Sequence, residues 1–332
     1  MTELNKKNPN IVVIGGGTGS FTLLSKLKNY TSNITAIVNM ADDGGSTGIL
    51  RDELGVLPPG DIRQCLVALS DDQSDLRELF NYRFGEGSLA GHCFGNLFLS
   101  VLEKTSNDFG EAVDKASKIL KITGQVIPVT LSDSHLVIKT NEGIEIKGEQ
   151  AIAQMTWKSS YRPNLSLQPD SLLNSKAKAA IEKAELVVIA PGHLYGSLAP
   201  ALLVNELGKV LLESKAKKVY VCNLVTKPGQ TEGFSSADFA DEIERFAGTK
   251  FLDYVLYNSK KPSPELLARY AKEGEMPVED NNPQLSRPLF IAADLISNDI
   301  YIQNPNDKLL QRTLIRHDAD KVAKELLKLI KL

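Results

Sequence analysis

Short apolar runs alternate along most of this chain with stretches in which hydrophobic residues recur at helical spacing. Ile11–Ile14 and Ile34–Val38 are such runs, and Thr18–Asn29 between them has apolar residues along one helical face. Strands separated by amphipathic helices are typical of a mostly parallel sheet covered on both faces. The pattern therefore predicts the α/β fold class. The later predicted strands are Leu186–Ala190, Lys218–Asn223, Tyr254–Asn258 and Leu289–Ala292.

The segment at about 125–162 departs from this rhythm, because short strand-like runs follow one another without a helix. A turn at Asn141-Glu142-Gly143 predicts a hairpin. We interpret the segment as an antiparallel β insertion in a single domain of residues 10–332, after a flexible tail of residues 1–9. The strands predicted in it are Val126–Thr130, His135–Thr140 and Ile144–Lys147. The remaining predicted helices are Asp61–Ser70, Asp75–Arg83, Asn96–Lys104, Phe109–Leu120, Ser171–Lys183, Ser197–Glu213 and Lys321–Ile330.

The composition is ordinary for a soluble globular protein, with 42% hydrophobic and 24% charged residues among 332. The formal net charge is −3 and no long Lys/Arg run is present, which does not indicate a nucleic-acid partner. No apolar stretch has the length of a membrane span, and the N-terminus lacks a signal-peptide core. Cys65, Cys93 and Cys222 have no paired spacing and predict buried free thiols. These features favour a cytoplasmic protein without membrane contact.

Two glycine-rich loops follow the first two predicted strands. Gly15-Gly16-Gly17-Thr18-Gly19 comes after the first, and Ala41–Gly48 comes after the second. The carboxyl ends of parallel strands meet at one edge of an open sheet, where ligands bind. Glycine lets backbone N–H groups approach a phosphate, and a helix beginning just after the loop adds its positive end. The loops therefore predict a nucleotide-binding site.

The first loop differs from the dinucleotide-binding pattern G-x-G-x-x-G, because Ser20 stands at the third glycine. Asn39 stands where an acidic residue would hold a ribose. NAD(P) binding is therefore the least favoured nucleotide alternative, and a G-x-x-x-x-G-K-[ST] phosphate loop is absent. Asp42 and Asp43 in the second loop suit three roles: binding Mg²⁺, hydrogen bonding to a ribose or base, and capping the next turn.

Later segments bring further polar residues to the same sheet edge. A rigid Pro-Pro-Gly turn precedes Asp61 and Arg63 at the start of a helix, and a glycine-rich loop carries His92 and Asn96. No second histidine at metal-ligand spacing accompanies His92, so a zinc site is not predicted. No Ser/His/Asp or Cys/His nucleophile arrangement is evident either.

Two loops that end later strands carry the remaining candidates. Gly192-His193 ends one strand, and Thr226-Lys227 ends another. We expect Ser197 to begin a helix that points at a phosphate, with Lys227 as the counter-charge.

Several segments, taken in order, are similar to those of one known family. Together they resemble the YvcK family, the bacterial gluconeogenesis-factor branch of the superfamily that contains 2-phospho-L-lactate transferase (CofD). The resemblance runs from about Asn10 to the last helix. The segments that carry it are Gly15–Gly19, Asp42–Ser46, Pro58–Arg63, Gly91-His92, Gly95-Asn96, Thr226–Gly229 and Leu314–Asp318.

The resemblance implies a Rossmann-like three-layer α/β sandwich that binds UDP-sugars such as UDP-N-acetylglucosamine and UDP-glucose. The family's role is linked to cell shape and to cell-wall precursor supply on gluconeogenic carbon sources, which implies a protein partner in that synthesis. The transferase relatives move a phospholactyl group from a guanosine diphosphate-type donor to a deazaflavin, with Mg²⁺. In them an aspartate that matches Asp61 contributes to the acceptor and metal site.

The candidate ligand-binding residues are thus Gly15, Gly16, Gly17, Thr18, Gly19, Asp42, Asp43, Gly44, Gly45, Ser46, Arg51, Asp61, Arg63, His92, Asn96, Gly192, Ser197, Thr226 and Lys227. The candidate Mg²⁺ ligands are Asp42, Asp43 and Asp61. No other cofactor is indicated.

One loop departs from the family. The family usually reads Pro-Gly-Ser-Leu-Tyr-Thr-Ser where this chain has Pro191–Ser197, with His193 and Gly196 in place of the serine and threonine. Two hydroxyls are absent and a histidine is added. A diphosphate bound by this loop would therefore be held differently here.

Two functional hypotheses follow. In the first, the protein is a regulator: a UDP-sugar binds with its diphosphate on the Gly16–Gly19 amides and shifts a conformational or homo-oligomeric equilibrium. The segments Gly44–Gly55 and Gly85–Gly95 are then expected to be mobile loops that report binding. We favour this regulator, because the sequence contains no recognisable general base and no aromatic patch for flavin stacking.

In the second hypothesis, the protein is a Mg²⁺-dependent transferase of a phosphoryl-linked group. Asp61 would be its catalytic residue and would hold the ion with Asp42 or Asp43. Arg63 or Lys227 would assist the leaving nucleotide.

Overall fold

The strands form where the sequence is continuously apolar. The computed structural model describes residues 8–70, 75–140, 143–158, 160–279, 288–297 and 316–331. Its first strand is buried along its whole length, as expected for a parallel sheet covered on both faces. The strands are β1 (Ile11–Gly15), β2 (Ile34–Val38), β3 (Gln125–Pro128), β4 (His135–Lys139), β5 (Glu145–Lys147), β6 (Asn164–Gln168), β7 (Leu186–Ile189), β8 (Lys217–Val221), β9 (Tyr254–Asn258) and β10 (Leu289–Ala293).

Helices connect the strands and flank the large sheet. They are α1 (Gly17–Leu27), α2 (Gly45–Leu54), α3 (Gly60–Leu69), α4 (Asp75–Asn81), α5 (Phe94–Lys104), α6 (Phe109–Ile119), α7 (Glu149–Gln154), α8 (Ser175–Lys183), α9 (Ala199–Leu202), α10 (Leu207–Glu213), α11 (Ser236–Ala247), α12 (Pro264–Glu273) and α13 (Ala319–Lys331). α1 packs against α3 and α13, and α11 packs against α9 and α10.

The large sheet has the strand order β10-β9-β8-β7-β1-β2-β3, and all neighbouring strands are parallel. From β1 the chain proceeds through β2 to β3 on one side and later returns to β7 on the other. The predicted α/β sandwich with a mostly parallel sheet is confirmed. Because the direction of strand addition reverses between β1 and β7, a crevice opens outside their carboxyl ends.

A second, antiparallel sheet has the order β5-β4-β6, so the predicted β insertion is present. Its bounds differ from 125–162. β3 pairs in parallel with β2 in the large sheet, and the small sheet extends to β6. A short apolar run does not reveal which sheet a strand joins. Asn141 and Glu142 of the predicted turn, and residues 1–7 of the predicted tail, lie outside the described residues.

Two predictions about local structure are wrong. The segment expected to be a mobile loop at Gly44–Gly55 is mostly helix α2, which ends at Gly55 in the left-handed conformation (φ 59°). The helix expected over Ser197–Glu213 is broken into a π-helical turn at Leu194–Leu198, then α9, then α10.

The predicted state of the cysteines is confirmed. Cys65, Cys93 and Cys222 are buried and free. Within the described ranges, no helix is both long and apolar enough to cross a membrane.

The contact between the start of α1 and the loop after β7 lies at the crevice and is testable. A Cβ at Gly19 would overlap the Pro191 carbonyl, whereas the surroundings of Gly85 are open. We expect Gly19→Ala to lower the free energy of unfolding by about 1–3 kcal/mol, despite the better helix propensity of alanine. The matched control Gly85→Ala should change it by less than about 0.5 kcal/mol. Urea denaturation measures both, and equal values would contradict the close contact.

Candidate functional site

A cavity of about 700 Å³ lies at the crevice outside the carboxyl ends of β1 and β7. The α1 N-terminus, the loop after β2, and the loops after β7 and β8 form its wall. Most of the predicted site residues therefore come together. Those that line the cavity are Gly16, Gly17, Thr18, Gly19, Asp42, Gly44, Gly45, Ser46, Asp61, Arg63, Asn96, Gly192, Ser197, Thr226 and Lys227.

Two predicted residues from the glycine loops are not part of this wall. Gly15 is the last residue of β1 and pairs with β2. The Asp43 carboxylate accepts hydrogen bonds from the backbone N–H groups of Glu149 (3.0 Å) and Gln150 (2.8 Å). Asp43 therefore caps α7 from a distant segment, and the capping alternative describes it better than metal binding.

Arg51 and His92 also lie outside the cavity wall. The Arg51 guanidinium donates to Asp133 (Nε at 3.0 Å) and to the Ser134 carbonyl (2.6 Å), so it joins α2 to the start of β4. His92 contacts the hydroxyl of Ser46 (3.2 Å) and supports that residue from behind.

Asp61 is the central buried charge of the site, with 7% of its surface exposed. The Gly17 N–H donates to its carboxylate at the α1 N-terminus. Burial first, and then the nearby carboxylates of Asp42 and Glu149, raise the pKa of Asp61 well above its usual value. The hydrogen bond from Gly17 and the charge of Arg63 therefore do not offset the burial of this carboxylate and its acidic neighbours.

The Asp42 carboxylate also has a raised pKa, although the shift is smaller than that of Asp61. Burial, Glu149 and Asp43 raise the pKa of Asp42 to about 6, although the Gly44 N–H (3.0 Å) and Thr47 donate to its carboxylate. A Cβ at Gly60 would overlap the Asp42 carboxylate, so the Pro-Pro-Gly turn lies directly against it.

Arg63 supplies positive charge to the cavity. Its guanidinium donates to the amide oxygens of Asn96 (2.9 Å) and Asn81 (2.7 Å). Burial, with a smaller contribution from Arg83, lowers the pKa of Arg63. Because neutral amides fix its geometry, Arg63 keeps its charge for an anionic group in the cavity.

At the other side, Lys227 is held by the protein backbone. Its ammonium donates to the Ala153 carbonyl at the end of α7 (2.5 Å) and lies 3.2 Å from Nε2 of His193. Burial lowers the pKa of Lys227. Ser197 lies inside the π-helical turn, where its N–H donates to the His193 carbonyl, so it does not begin a helix that points at a phosphate.

The wall also contains polar residues that sequence reasoning did not predict as site residues, among them Arg83, Asn223, Glu275, Arg316 and His317. His317 is within a segment that carries the family resemblance, which was the available signal. Its Nε2 contacts the Cys222 carbonyl (3.1 Å), and burial lowers the pKa of His317 to about 4. Leu314 and Ile315 of the same segment lie outside the described residues.

With this geometry established, comparison with known proteins assigns the family. The family model for 2-phospho-L-lactate transferase CofD matches residues 11–294. The chain belongs to the CofD family. A gluconeogenesis factor from Bacillus subtilis (strain 168) is 37% identical over 326 residues, which cover 98% of this chain and 99% of the relative.

Two further comparisons place this CofD-family chain among the gluconeogenesis factors. A relative from Nostoc sp. (strain PCC 7120), named for the same factor, is 44% identical over 327 residues, 97% of this chain and 69% of the relative. A crystal structure of a UPF0052 family member from Bacillus halodurans superposes with a TM-score of 0.85 at 35% identity, covering 97% of this chain and 100% of that one. The predicted resemblance is confirmed.

The fit of this CofD-family site to Mg²⁺ rests on Asp42 and Asp61. Carboxylate oxygens are the protein ligands that Mg²⁺ prefers, and it commonly completes its shell with water and ligand phosphates. The raised pKa values indicate that a cation here would offset unbalanced charge. Asp43 does not fit as a Mg²⁺ ligand, because its carboxylate oxygens accept hydrogen bonds from backbone N–H groups of α7. Among the described residues, no group of three or more His, Cys, Asp and Glu side chains is arranged to hold a metal.

The Asp61 charge predicts an unusual dependence of stability on pH. Its pKa in the folded state lies above that in the unfolded chain, so its ionisation favours unfolding. The stability it contributes is complete below the unfolded pKa of about 3.9 and is lost as the pH rises through the folded pKa. We expect Asp61→Asn to raise the free energy of unfolding at pH 8, because the amide carries no charge that burial would penalise.

This gain should shrink as the pH falls towards 5, and urea denaturation at several pH values measures it. The matched control is Asp52→Asn at an exposed position of α2, which should show no such trend. An Asp61→Asn variant less stable than the wild type at pH 8 would contradict the inferred charge imbalance.

Proposed function

We propose that this protein is a gluconeogenesis factor that binds a UDP-sugar and acts as a ligand-sensing regulator. The observation that carries the proposal is the cavity of about 700 Å³ at the β1/β7 crevice, walled by the predicted glycine loop. This volume is within the range of about 300–1,000 Å³ that is usual for small-molecule sites. Its wall offers both hydrogen-bond acceptors and cationic groups, as a sugar diphosphate requires.

The diphosphate is proposed to lie at the N-terminus of α1. First-turn amides of a helix have no carbonyl partner within the helix and attract anions. Asp61 already accepts the Gly17 N–H, so a diphosphate at Thr18 and Gly19 comes close to that carboxylate. Mg²⁺ held by Asp42 and Asp61 would supply the positive charge that such an approach needs. Arg63, which also lines the cavity, adds a second positive charge.

Helix α7 is proposed to transmit binding to the surface. The loop that carries Asp42 also carries Asp43, which caps the start of α7. Lys227 lines the cavity and bonds the end of the same helix at Ala153. A ligand that engages either the Asp42 loop or Lys227 therefore acts on α7. Its exposed face would be read by a protein partner in cell-wall precursor synthesis or by a second copy of the chain.

Calorimetry with UDP-N-acetylglucosamine and UDP-glucose, with and without Mg²⁺, tests the ligand. Asp42→Ala removes a hydrogen-bond acceptor from the cavity wall, so we expect about tenfold weaker binding. The matched control Asp52→Ala should bind as the wild type does. Absence of binding by the wild type would overturn the proposed ligand, and unchanged affinity in Asp42→Ala would overturn the role of that residue.

A second candidate function, a Mg²⁺-dependent transferase, is favoured by the buried Asp42/Asp61 pair beside Arg63. In such a reaction an acceptor oxygen attacks phosphorus, the bond to the leaving phosphate breaks, and a nucleoside monophosphate is released. We expect a bound UDP-sugar to be recovered intact if the protein is a regulator. Mg²⁺-dependent release of UMP that is lost in Asp61→Asn would instead establish the transferase. Product analysis by chromatography after incubation decides between them.

A further inference from the structure

His193 is a residue of the cavity wall whose Nε2 edge is held by the protein and whose Nδ1 makes no hydrogen bond to the described residues. It lies between β7 and the π-helical turn. Nε2 is 2.7 Å from Oε1 of Gln230, and Nδ1 is 4.0 Å from Oε1 of Glu149. Nδ1 makes no hydrogen bond to the described residues and is not among the fully buried polar atoms that lack a partner.

Gln230 fixes which nitrogen carries the proton. Its amide NH₂ group donates to the carbonyls of Ile152 (3.0 Å), Ala153 (3.3 Å) and Met155 (2.9 Å). The amide oxygen therefore faces His193, and an amide oxygen can only accept. Nε2 also lies 3.2 Å from Nζ of Lys227, but the contact with Gln230 is the shorter of the two and needs a proton between its atoms. We therefore assign the proton to Nε2, which leaves the Nδ1 lone pair as an acceptor in the neutral ring.

The surroundings of Nδ1 favour a hydrogen-bond donor over an anion. A Cβ at Gly196 would overlap both Glu149 Oε1 and His193 Nδ1, so these two acceptors meet at one point. Glu149 also lies close enough to Asp42 to raise its pKa. Nζ of Lys227 lies at the other edge of the ring, 3.2 Å from Nε2, and also donates to the Ala153 carbonyl. A phosphate at Nδ1 would meet the Glu149 carboxylate and the ring nitrogen, which are both acceptors, whereas a hydroxyl or amide N–H would find a partner.

We propose that Nδ1 of His193 accepts a hydrogen bond from a hydroxyl or N–H group of the sugar of a nucleotide sugar. This end of the cavity then holds the sugar, and the diphosphate lies towards α1. The inference rests on the proposed function, because it divides a UDP-sugar between two ends of the same cavity. It also assigns the loop with His193 and Gly196 to sugar recognition, where the sequence suggested a contact with the diphosphate.

Two substitutions of His193 test the contributions of its two ring nitrogens separately. Asparagine places an amide oxygen near the position of Nδ1, and glutamine places its amide near Nε2. The probes are UDP-N-acetylglucosamine and UDP, which share the diphosphate and differ by the sugar. We expect H193Q to bind UDP-N-acetylglucosamine about tenfold more weakly and UDP within about twofold of the wild type, because one sugar hydrogen bond is lost. H193N should keep most of the affinity for both.

Gly196→Ala provides an independent variant that retains His193. Its Cβ displaces the two acceptors, so the same selective loss of affinity for the sugar nucleotide is expected. Circular dichroism and thermal unfolding confirm that each variant is folded before calorimetry.

The outcomes distinguish this inference from the proposed function. A wild-type protein that binds neither nucleotide overturns the proposed function and this assignment with it. If the wild type binds both nucleotides, two results for H193Q would overturn the sugar contact alone. One is an equal loss of affinity for both nucleotides, and the other is no loss of affinity for either. A selective loss in H193Q and Gly196→Ala, with H193N retaining affinity, supports it.

Discussion

The site depends on a steric constraint: carboxylate oxygens occupy the space that a Cβ would need at several glycines. Asp61 lies against Gly16, and Asp42 lies against Gly60. The same holds where Glu149 approaches Gly196. Any side chain at these glycines would push a carboxylate out of place. The glycines therefore bring three separate segments of negative charge to the carboxyl edge of the large sheet.

Gathering these carboxylates costs stability, and the fold offsets only part of it. The Gly17 N–H and the positive end of α1 favour the ionised form of Asp61, and Arg63 acts in the same direction. Burial and the other carboxylates outweigh them, because the pKa of Asp61 remains raised. A site with unbalanced charge is preorganised for a ligand that restores the balance. A cation does so, and hydroxyl groups can donate hydrogen bonds to the carboxylates, whereas a bare anion does neither.

The sequence predicted most of the framework because apolar runs and strand ends are local signals. It located β1, β2 and the loops that follow them, and parallel topology then brought those loops together. It could not predict the direction of a side chain. Asp42 and Asp43 are adjacent, yet one faces the cavity and the other caps α7, more than a hundred residues away. It also missed α2, because a helix that begins Gly-Ser-Thr-Gly has the composition of a loop.

The expected family pattern has a serine and a threonine where this chain has His193 and Gly196. These two differences are better understood as one change. A threonine at position 196 would carry a Cβ into both Glu149 Oε1 and Nδ1 of a histidine at position 193, so the histidine in this orientation requires the glycine. Gln230 then orients the ring through its 2.7 Å contact with Nε2, while the same amide holds the end of α7. A contact at Nδ1 is therefore two hydrogen bonds away from α7. In this chain, recognition at the proposed sugar end and the position of α7 share one set of bonds.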